Sequence, residues 1–306
     1  MKPIIFVMCG LPCSGKSVEA QKIAKEYNAE IFSSDFLREE MFGDINDQSH
    51  NQELFKELHK RIRNCLISRK NACYDACNIS YKRRMEFLKS LNKISCNKIA
   101  VLMATPYEVC LERNSKRDRK VPEFVIKRMY MNFWVPAWFE GWDNINIIHS
   151  DGAKDSKGYP AHWLETVKNY NQGNSHHSLT LGEHSIEALQ FICENLGKTG
   201  DNYLSLRVAA ILHDEGKPFT RTNIDSKGRI TEETHYYNHQ FVSSYDSLFF
   251  KGIYDNIHVA TLIVWHMRPY LAWDKSEKAM QKDRKLLGEK LFQEIMDLHA
   301  ADLYAH

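Results

Sequence analysis

An α/β domain followed by an all-helical one is the architecture that the 306-residue sequence predicts. Three observations predict it. Short β-branched runs alternate with amphipathic stretches through the first half, the pattern of a parallel sheet covered by helices on both faces. The alternation stops at "SDGAKDSKGYP", Ser150–Pro160, a polar stretch carrying Gly and Pro that reads as a boundary. Beyond it the apolar spacing is helical and little strand is visible. The limits that follow are 1–152 for the first domain, 153–174 for a connector and 175–306 for the second.

Each element has its own reason. Ile4–Met8 is a continuous apolar run, as a buried central strand requires. Ser17–Tyr27 carries Val18, Ile23, Ala24 and Tyr27 at helical spacing. Ile31–Phe32 begins a second strand and Phe36–Met41 lies in a helix. Gln52–Ser68 puts Leu54, Phe55, Leu58, Ile62 and Leu66 on one stripe. Ala72–Asp75, Lys98–Ala104 and Ile145–His149 read as strands, with Tyr81–Leu91 and Pro106–Asn114 as the helices between them. In the second half the helices are Glu183–Leu196, Asn202–Leu212, Tyr237–Phe249, Ile257–His266 and Gly288–Leu303.

Composition narrows the function classes. Hydrophobic content of 43% and charged content of 26% are those of a water-soluble globular chain. A net charge of +2 provides no global basic field, so any polynucleotide site rests on local patches. The eight cysteines are scattered. Cys73 and Cys77 have no second pair to complete a zinc site, which points to thiols in a reduced compartment. The apolar start "MKPIIFVMCG" is too short for a membrane span and runs straight into a glycine loop, so no signal peptide is expected. The expected location is cytoplasmic, with no membrane partner.

The first chemical signal is "GLPCSGKS", Gly10–Ser17, between a strand and a helix. Gly10 and Gly15 let the backbone turn its N–H groups onto phosphate oxygens, and the helix N-terminus adds positive potential. Gly10, Ser14, Gly15, Lys16 and Ser17 are therefore the candidate nucleotide-binding set. Lys16 reaches the β- and γ-phosphates and Ser17 holds Mg²⁺. A bare glycine turn with an exposed lysine is the bland alternative. The acceptor side is read from "SSDFLREEM", Ser33–Met41. Asp35 is placed to accept the proton of an attacking hydroxyl, and Arg38, one turn on, to grip an acceptor phosphate. Alone, that pair would be a surface ion pair. A basic run with a proline and an amphipathic helix, Glu112–Phe133, suits a mobile lid.

At this point the chain resembles a family. "RNSKR", "VP" and "RMY" look like the lid of phage-type 5′-hydroxyl polynucleotide kinases, in which a P-loop, a D-x-x-R element and this lid occur in the same order. The resemblance covers most of residues 1–150 and implies a P-loop kinase domain using ATP or another nucleoside triphosphate with Mg²⁺. It implies Asp35 as general base, Arg38 as clamp on the phosphate 3′ to the acceptor nucleoside, and Arg117 as the lid arginine on the ATP phosphates with Arg113 beside it. Asp75, in "YDACN", takes a supporting role near the metal or Arg38. The tail "VPAWFEGWDNI" also resembles this group, and its aromatic residues serve either as core or as stacking platforms for bases.

In the second half His213 and Asp214 are adjacent at a helix end. Side chains of neighbouring helical residues diverge by about 100°, so a metal held there needs ligands from other helices. His184, His239, His266 and Asp302 each fall in a separate apolar helical segment. The order H…HD…H…H…D resembles the HD-domain phosphohydrolases, and "LHDEGKPFTRT", "YYNHQ" and "WHMRP" resemble the HD domains of bacterial tRNA nucleotidyltransferases. The resemblance covers roughly 175–306 and implies an all-α HD domain. It implies one metal on His184, His213, Asp214 and Asp302, and a second sharing Asp214 with His239 and His266. Mn²⁺, Fe²⁺, Ni²⁺ and Zn²⁺ all suit such ligands. Asp214 is thereby catalytic, and Lys217 and Arg268 are phosphate clamps or solvated cations. His176, His177 and His235 are further histidines, substrate-side or structural.

The two resemblances share a logic. RNA broken by transesterification leaves a 2′,3′-cyclic phosphate and a 5′-hydroxyl, whereas a ligase needs a 5′-phosphate and a free 3′-hydroxyl. A chain that phosphorylates one end and strips the other heals both, with nucleic-acid ends as partners, RNA favoured, and a separate ligase downstream. Two alternatives stay open. One is a small-molecule or nucleoside kinase fused to a nucleotide phosphohydrolase. The other is a non-catalytic binding protein regulated by nucleotide.

Overall fold

A computed structural model describes residues 2–150, 159–173, 178–196, 201–249 and 255–306. The chain divides into two compact units, Met1–Met129 with Pro136–Ala153, and Tyr130–Val135 with Lys154–His306.

The first unit is built on five parallel strands: β1 (Ile4–Cys9), β2 (Ala29–Ser33), β3 (Asn71–Asp75), β4 (Asn97–Ala104) and β5 (Asn144–His149). Their order is β2-β3-β1-β4-β5. The helices between them are α1 (Lys16–Tyr27), α2 (Ser34–Phe42), α3 (Asn51–Ile67), α4 (Tyr81–Ser90), α5 (Tyr107–Ser115) and α6 (Glu123–Tyr130). The central strand β1 is buried from Ile5 to Cys9, which explains its uninterrupted apolar sequence. Phe6 and Met8 pack there with Ala20 and Ile23 of α1, Cys73 of β3, and Val101 and Met103 of β4. This order brings the carboxyl ends of β1, β2 and β3 side by side. Gly10–Ser17, Asp35 and Asp75 lie at or just beyond those ends, where ligands of open parallel sheets bind.

A buried ion pair braces that edge. Arg84 of α4 donates from Nε and Nη2 to Glu140 at 2.8 and 2.6 Å, with both side chains essentially inaccessible to solvent. Its Nη1 donates to Asn78 O, and Asn78 donates to Met8 O. Glu140 also accepts from Ala137 N and Trp142 Nε1. The loop that follows Asp75 is thus tied to both α4 and β1. Breaking such a pair leaves a buried guanidinium opposite no carboxylate. Glu140→Ala is expected to cost about 3–5 kcal/mol of stability, read as a lower midpoint in urea unfolding. A shift below about 1 kcal/mol would mean that Arg84 finds another partner.

The second unit is helical. Its helices are α7 (Tyr159–Val167), α8 (Leu181–Asn195), α9 (Asp201–Leu212), α10 (Lys217–Thr220), α11 (His239–Asp246), α12 (Asn256–Trp265), α13 (Glu277–Leu287) and α14 (Glu289–Tyr304). Helix α12 is apolar all round, with Val259, Ala260, Leu262 and Ile263 buried, as a central helix must be. Thr180 begins α8 with a capping box: its hydroxyl accepts from Glu183 N, and Glu183 accepts from Thr180 N.

Four features differ from the sequence reading. An antiparallel hairpin, β6 (Thr222–Ile224) with β7 (Ile230–His235), interrupts the helices. Helix α11 begins at His239 rather than Tyr237, because Asn238 adopts a left-handed backbone at φ 67°. Helix α7 lies within the stretch expected as a connector. Helix α13 was not expected at all: its sequence is mostly charged and it buries only Asp283 and Leu287. Residues 151–158 of the expected boundary, and His176 and His177, lie outside the described residues.

The aromatic residues in the tail Val135–Ile145 and just before it divide between the two units. Phe133 packs on Tyr245, and Trp134 on Phe241 and Trp265, all in the second unit. Trp142 is buried in the first unit, whereas Trp138 is 45% exposed. Among the described residues no helix is long and apolar enough to cross a membrane.

Candidate nucleotide and metal centres

In the first unit Gly15 caps α1 at φ 95°, a left-handed conformation that favours glycine. A Cβ on Gly10 would lie 2.6 Å from Ser14 Oγ and 3.0 Å from Met103 Cβ, so only glycine leaves the loop its shape. Lys16 is buried and its Nζ donates to Leu11 O at 2.6 Å. Ser17 donates to Asp75 Oδ2 at 2.8 Å. Burial raises the Asp75 carboxyl above its ordinary range, with the Ser17 hydrogen bond and the Lys16 charge working against that rise. The Ser14 hydroxyl is buried without a hydrogen-bond partner. A glycine-lined cradle with an orphaned hydroxyl and an ammonium suits a polyphosphate.

The side chains expected to face an acceptor converge on Asp35, at the start of α2. Arg38 Nη1 donates to Asp35 Oδ1 at 3.1 Å and its Nη2 to Asn51 Oδ1 at 3.0 Å. Arg38 is only 4% exposed, and its Nε has no hydrogen-bond partner. From the lid, Arg117 Nη1 lies 3.2 Å from Cys13 Sγ in the phosphate loop. Arg113 Nη1 lies 3.7 Å from where a Cβ on Gly15 would stand. The structure therefore brings Asp35, Arg38, Asp75, Arg113 and Arg117 to the same edge of the sheet as the loop. It adds Arg119, which the sequence reading missed: Arg119 Nη1 donates to Asp35 Oδ2 at 2.9 Å. The basic run held three arginines, and nothing in their spacing told Arg119 from Arg117.

In the second unit six side chains converge from separate elements. His184 (α8), His213 and Asp214 (after α9) and Asp302 (α14) offer ligand atoms that all lie within 4.8 Å of one another, as do those of Asp214, His239 (α11) and His266 (after α12). The distance between His184 Nε2 and His213 Nε2 is 3.1 Å, and between His239 Nε2 and His266 Nε2 it is 3.3 Å. Asp214 sits between the pairs. Its Oδ2 lies 3.4 and 3.3 Å from His184 and His213, and its Oδ1 lies 3.0 Å from His239.

The imidazoles are oriented by backbone. The Nδ1–H groups of His184, His213, His239 and His266 donate to the carbonyls of Ala305, Ala210, Tyr236 and Ile263 at 2.6–2.9 Å. A carbonyl only accepts, so each Nδ1 carries the proton and each Nε2 faces the carboxylates. That is the tautomer a metal requires. Charge divides the cluster. Burial lowers His213, but Asp214 and Asp302 outweigh it and raise the group to about 10. At His266 burial is reinforced by His213 and His239, and the group falls to about 3. Burial raises Asp214, yet Lys217 and His213 hold it well below the carboxylate range.

Of the two expected phosphate clamps, Lys217 is in the cluster and buried, with Nζ 2.7 Å from Asp214 Oδ2 and 2.6 Å from Gln172 Oε1. Arg268 is held elsewhere: its Nε donates to Asp283 Oδ2 of α13 at 2.7 Å. Tyr270 was not foreseen. A π-helical turn, Pro269–Trp273, presents its hydroxyl to Asp302 Oδ2 at 2.9 Å. The other oxygen of Asp302 is thereby left to face His184 and His213 at 3.2 and 3.4 Å. His235, on β7, pairs with Thr231 instead.

Family models match both halves. The AAA domain model covers residues 5–136, and the HD domain model covers 181–305. The chain joins an AAA-type P-loop kinase domain to an HD domain. A curated relative, L-seryl-tRNA(Sec) kinase of Methanococcus maripaludis, is 25% identical over 145 residues, 46% of this chain and 56% of that protein. The chain thus spans little more than half of that relative's length. Among solved structures, the Mycobacterium tuberculosis APS kinase CysC in complex with AMPPNP and APS is 16% identical, with 48% of this chain and 88% of that one covered and a TM-score of 0.38. The Pnkp1/Rnl/Hen1 RNA repair complex is 20% identical, with 42% of each chain covered and a TM-score of 0.36.

The ligand set of the HD domain fits one or two divalent ions. Outer hydrogen bonds such as that of Tyr270 hold ligands in place, and their loss lowers metal affinity about 10–100-fold. Tyr270→Phe is expected to do so, measured by metal retention against a chelator. Unchanged retention would make the contact incidental.

Proposed function

We propose that the chain is a bifunctional nucleic-acid end-healing enzyme acting by preference on RNA. The AAA domain phosphorylates 5′-hydroxyl ends with ATP, and the HD domain removes a 2′,3′-cyclic phosphate or a terminal 2′- or 3′-phosphate. The observation that carries this reading is the buried Arg38 guanidinium, adjacent to Asp35 and with an unpartnered Nε. Asp35 and Asn51 take its two Nη groups, which leaves the Nε N–H for a further acceptor oxygen. A polynucleotide acceptor brings one on a phosphate next to the hydroxyl that Asp35 deprotonates. A sugar or nucleoside without phosphate does not.

In the AAA domain the loop amides, Lys16 and Ser14 hold the triphosphate. Mg²⁺, held by Ser17 with Asp75 close by, would offset phosphate charge. Asp35 takes the proton of the acceptor hydroxyl as its oxygen attacks the γ-phosphorus. Arg117 and Arg113 neutralise charge along the transferred group. In the HD domain His184, His213, Asp214 and Asp302 would hold one ion, and Asp214, His239 and His266 another. Mn²⁺, Fe²⁺, Ni²⁺ or Zn²⁺ would supply Lewis-acid activation of the phosphoester there. Lys217 fixes the rotamer of Asp214, and the backbone carbonyls fix the imidazoles.

The relative at 25% identity favours a second reading, in which the acceptor is a small hydroxyl such as the seryl group on a tRNA. Transfer from γ-labelled ATP separates the two. The first reading expects label on 5′-hydroxyl oligonucleotides, with nucleosides lacking the 3′-phosphate used at least about tenfold less efficiently. Label only on seryl-tRNA, sugars or free nucleosides would favour the second. On the first reading the product serves a separate ligase.

A further inference from the structure

Arg119 is the best-satisfied guanidinium near the acceptor side. Its Nε donates to Asn46 Oδ1 at 2.9 Å, its Nη1 to Asp35 Oδ2 at 2.9 Å and its Nη2 to Ile45 O at 3.2 Å. One lid side chain therefore joins three segments: the lid, the first turn of α2 and the loop between α2 and α3. The consequence falls on Asp35. With Arg38 on Oδ1 and Arg119 on Oδ2, both carboxylate oxygens are engaged. Each oxygen keeps a further lone pair on a half-exposed side chain, so a hydroxyl that is to hand its proton to Asp35 competes with one of the two guanidinium groups for the oxygen it uses. Arg38 is buried and held by Asn51, whereas Arg119 reaches in from a turn of the lid and its side chain is one-third exposed, so Arg119 is the one to yield.

We infer that Arg119 is a positioning residue that discriminates against water: it occupies Asp35 until an acceptor with enough binding energy displaces it. Water makes no other contact that could offset the loss of the ion pair. An acceptor gripped by Arg38 does. The suppressed reaction is hydrolysis of ATP. In it a water oxygen bonds to the γ-phosphorus, its proton passes to the Asp35 carboxylate, and the β–γ bridging bond breaks with its electron pair leaving on ADP. The same stretch also touches the phosphate loop, where Arg117 Nη1 lies 3.2 Å from Cys13 Sγ.

The inference rests on Asp35 being the base of the proposed kinase, but its test needs no choice of acceptor. In the full chain, Arg119→Gln is expected to raise acceptor-free ATP hydrolysis about fivefold, as the loss of one half-exposed ion pair allows. It is also expected to lower the acceptor KM. Asn46→Ala removes one anchor of Arg119 without touching Asp35 or the nucleotide loop, and gives a smaller rise. Asp35→Asn combined with Arg119→Gln cancels the rise. Hydrolysis that stays level or falls in both Arg119→Gln and Asn46→Ala overturns the inference. If the rise appears but no oligonucleotide accepts phosphate, the latch stands and the polynucleotide reading falls.

Discussion

Replacing Asp35 by Asn is expected to reduce phosphoryl transfer to a 5′-hydroxyl end by about 10²–10⁴-fold, the usual worth of a positioned general base. The amide keeps the size of the side chain and an oxygen for one arginine, so the acceptor cleft stays formed. It cannot take a proton from the attacking hydroxyl. Nothing in the triphosphate cradle contacts Asp35 directly: Lys16 donates to Leu11 O, and Ser17 to Asp75. ATP affinity is therefore expected to remain within a few-fold of wild type. Single-turnover transfer and equilibrium nucleotide binding, measured on the same preparation, check both halves. A variant that transfers at the wild-type rate would remove Asp35 from the chemistry and leave the cleft as a surface ion-pair network. Equal loss of binding and transfer would mean that Asp35 acts on the fold of the loop.

The second large effect is expected at Asp214. Its two oxygens face opposite histidine pairs, Oδ2 toward His184 and His213 and Oδ1 toward His239. It is the single carboxylate common to both ligand sets. Asp214→Asn removes the charge from both at once and leaves Lys217 buried opposite a neutral amide. Metal content should fall to near zero, and phosphoesterase activity should drop by more than about 100-fold, a larger loss than an outer hydrogen bond produces. Phosphoryl transfer by the AAA domain should persist. Retention of both ions after exhaustive dialysis would show that the remaining side chains suffice and that Asp214 is not an essential ligand. A parallel loss of kinase activity would trace the effect to unfolding.

How far these sites could be read from the sequence depended on how local their signals are. The nucleotide loop is eight consecutive residues between a strand and a helix, so its geometry follows from its order. Asp35 and Arg38 lie one helical turn apart, and that spacing alone brings them together. The histidines were legible for the opposite reason. Each lies within or at an end of a largely apolar helix, and a polar group buried there needs a partner from elsewhere.

What escaped was set by tertiary packing. Arg119 is one base in a run of bases, and only the fold brings it to Asp35. Tyr270 reaches Asp302 through a π-helical turn that has no sequence period of its own. Helix α13 has a short apolar face, Ala279, Met280, Leu286 and Leu287, in an otherwise mostly charged sequence, and its buried Asp283 is held by Arg268 and Trp273. Its start signal, Ser276 accepting from Ala279 N, was available in the sequence and too weak to stand alone. Arg268 illustrates the converse. The sequence left it as a phosphate clamp or a solvated cation, and only the fold shows that its Nε donates to Asp283.

On the proposed reading, one chain repairs both ends of a broken strand. The direct measurement uses an RNA oligomer with a 5′-hydroxyl and a 2′,3′-cyclic phosphate, incubated with the full chain, ATP, Mg²⁺ and Mn²⁺, and resolved by mass. The product predicted here has gained a phosphate at its 5′ end and exposes a 3′-hydroxyl. An oligomer recovered with both termini unaltered, while the protein binds ATP and retains its metals, would contradict it.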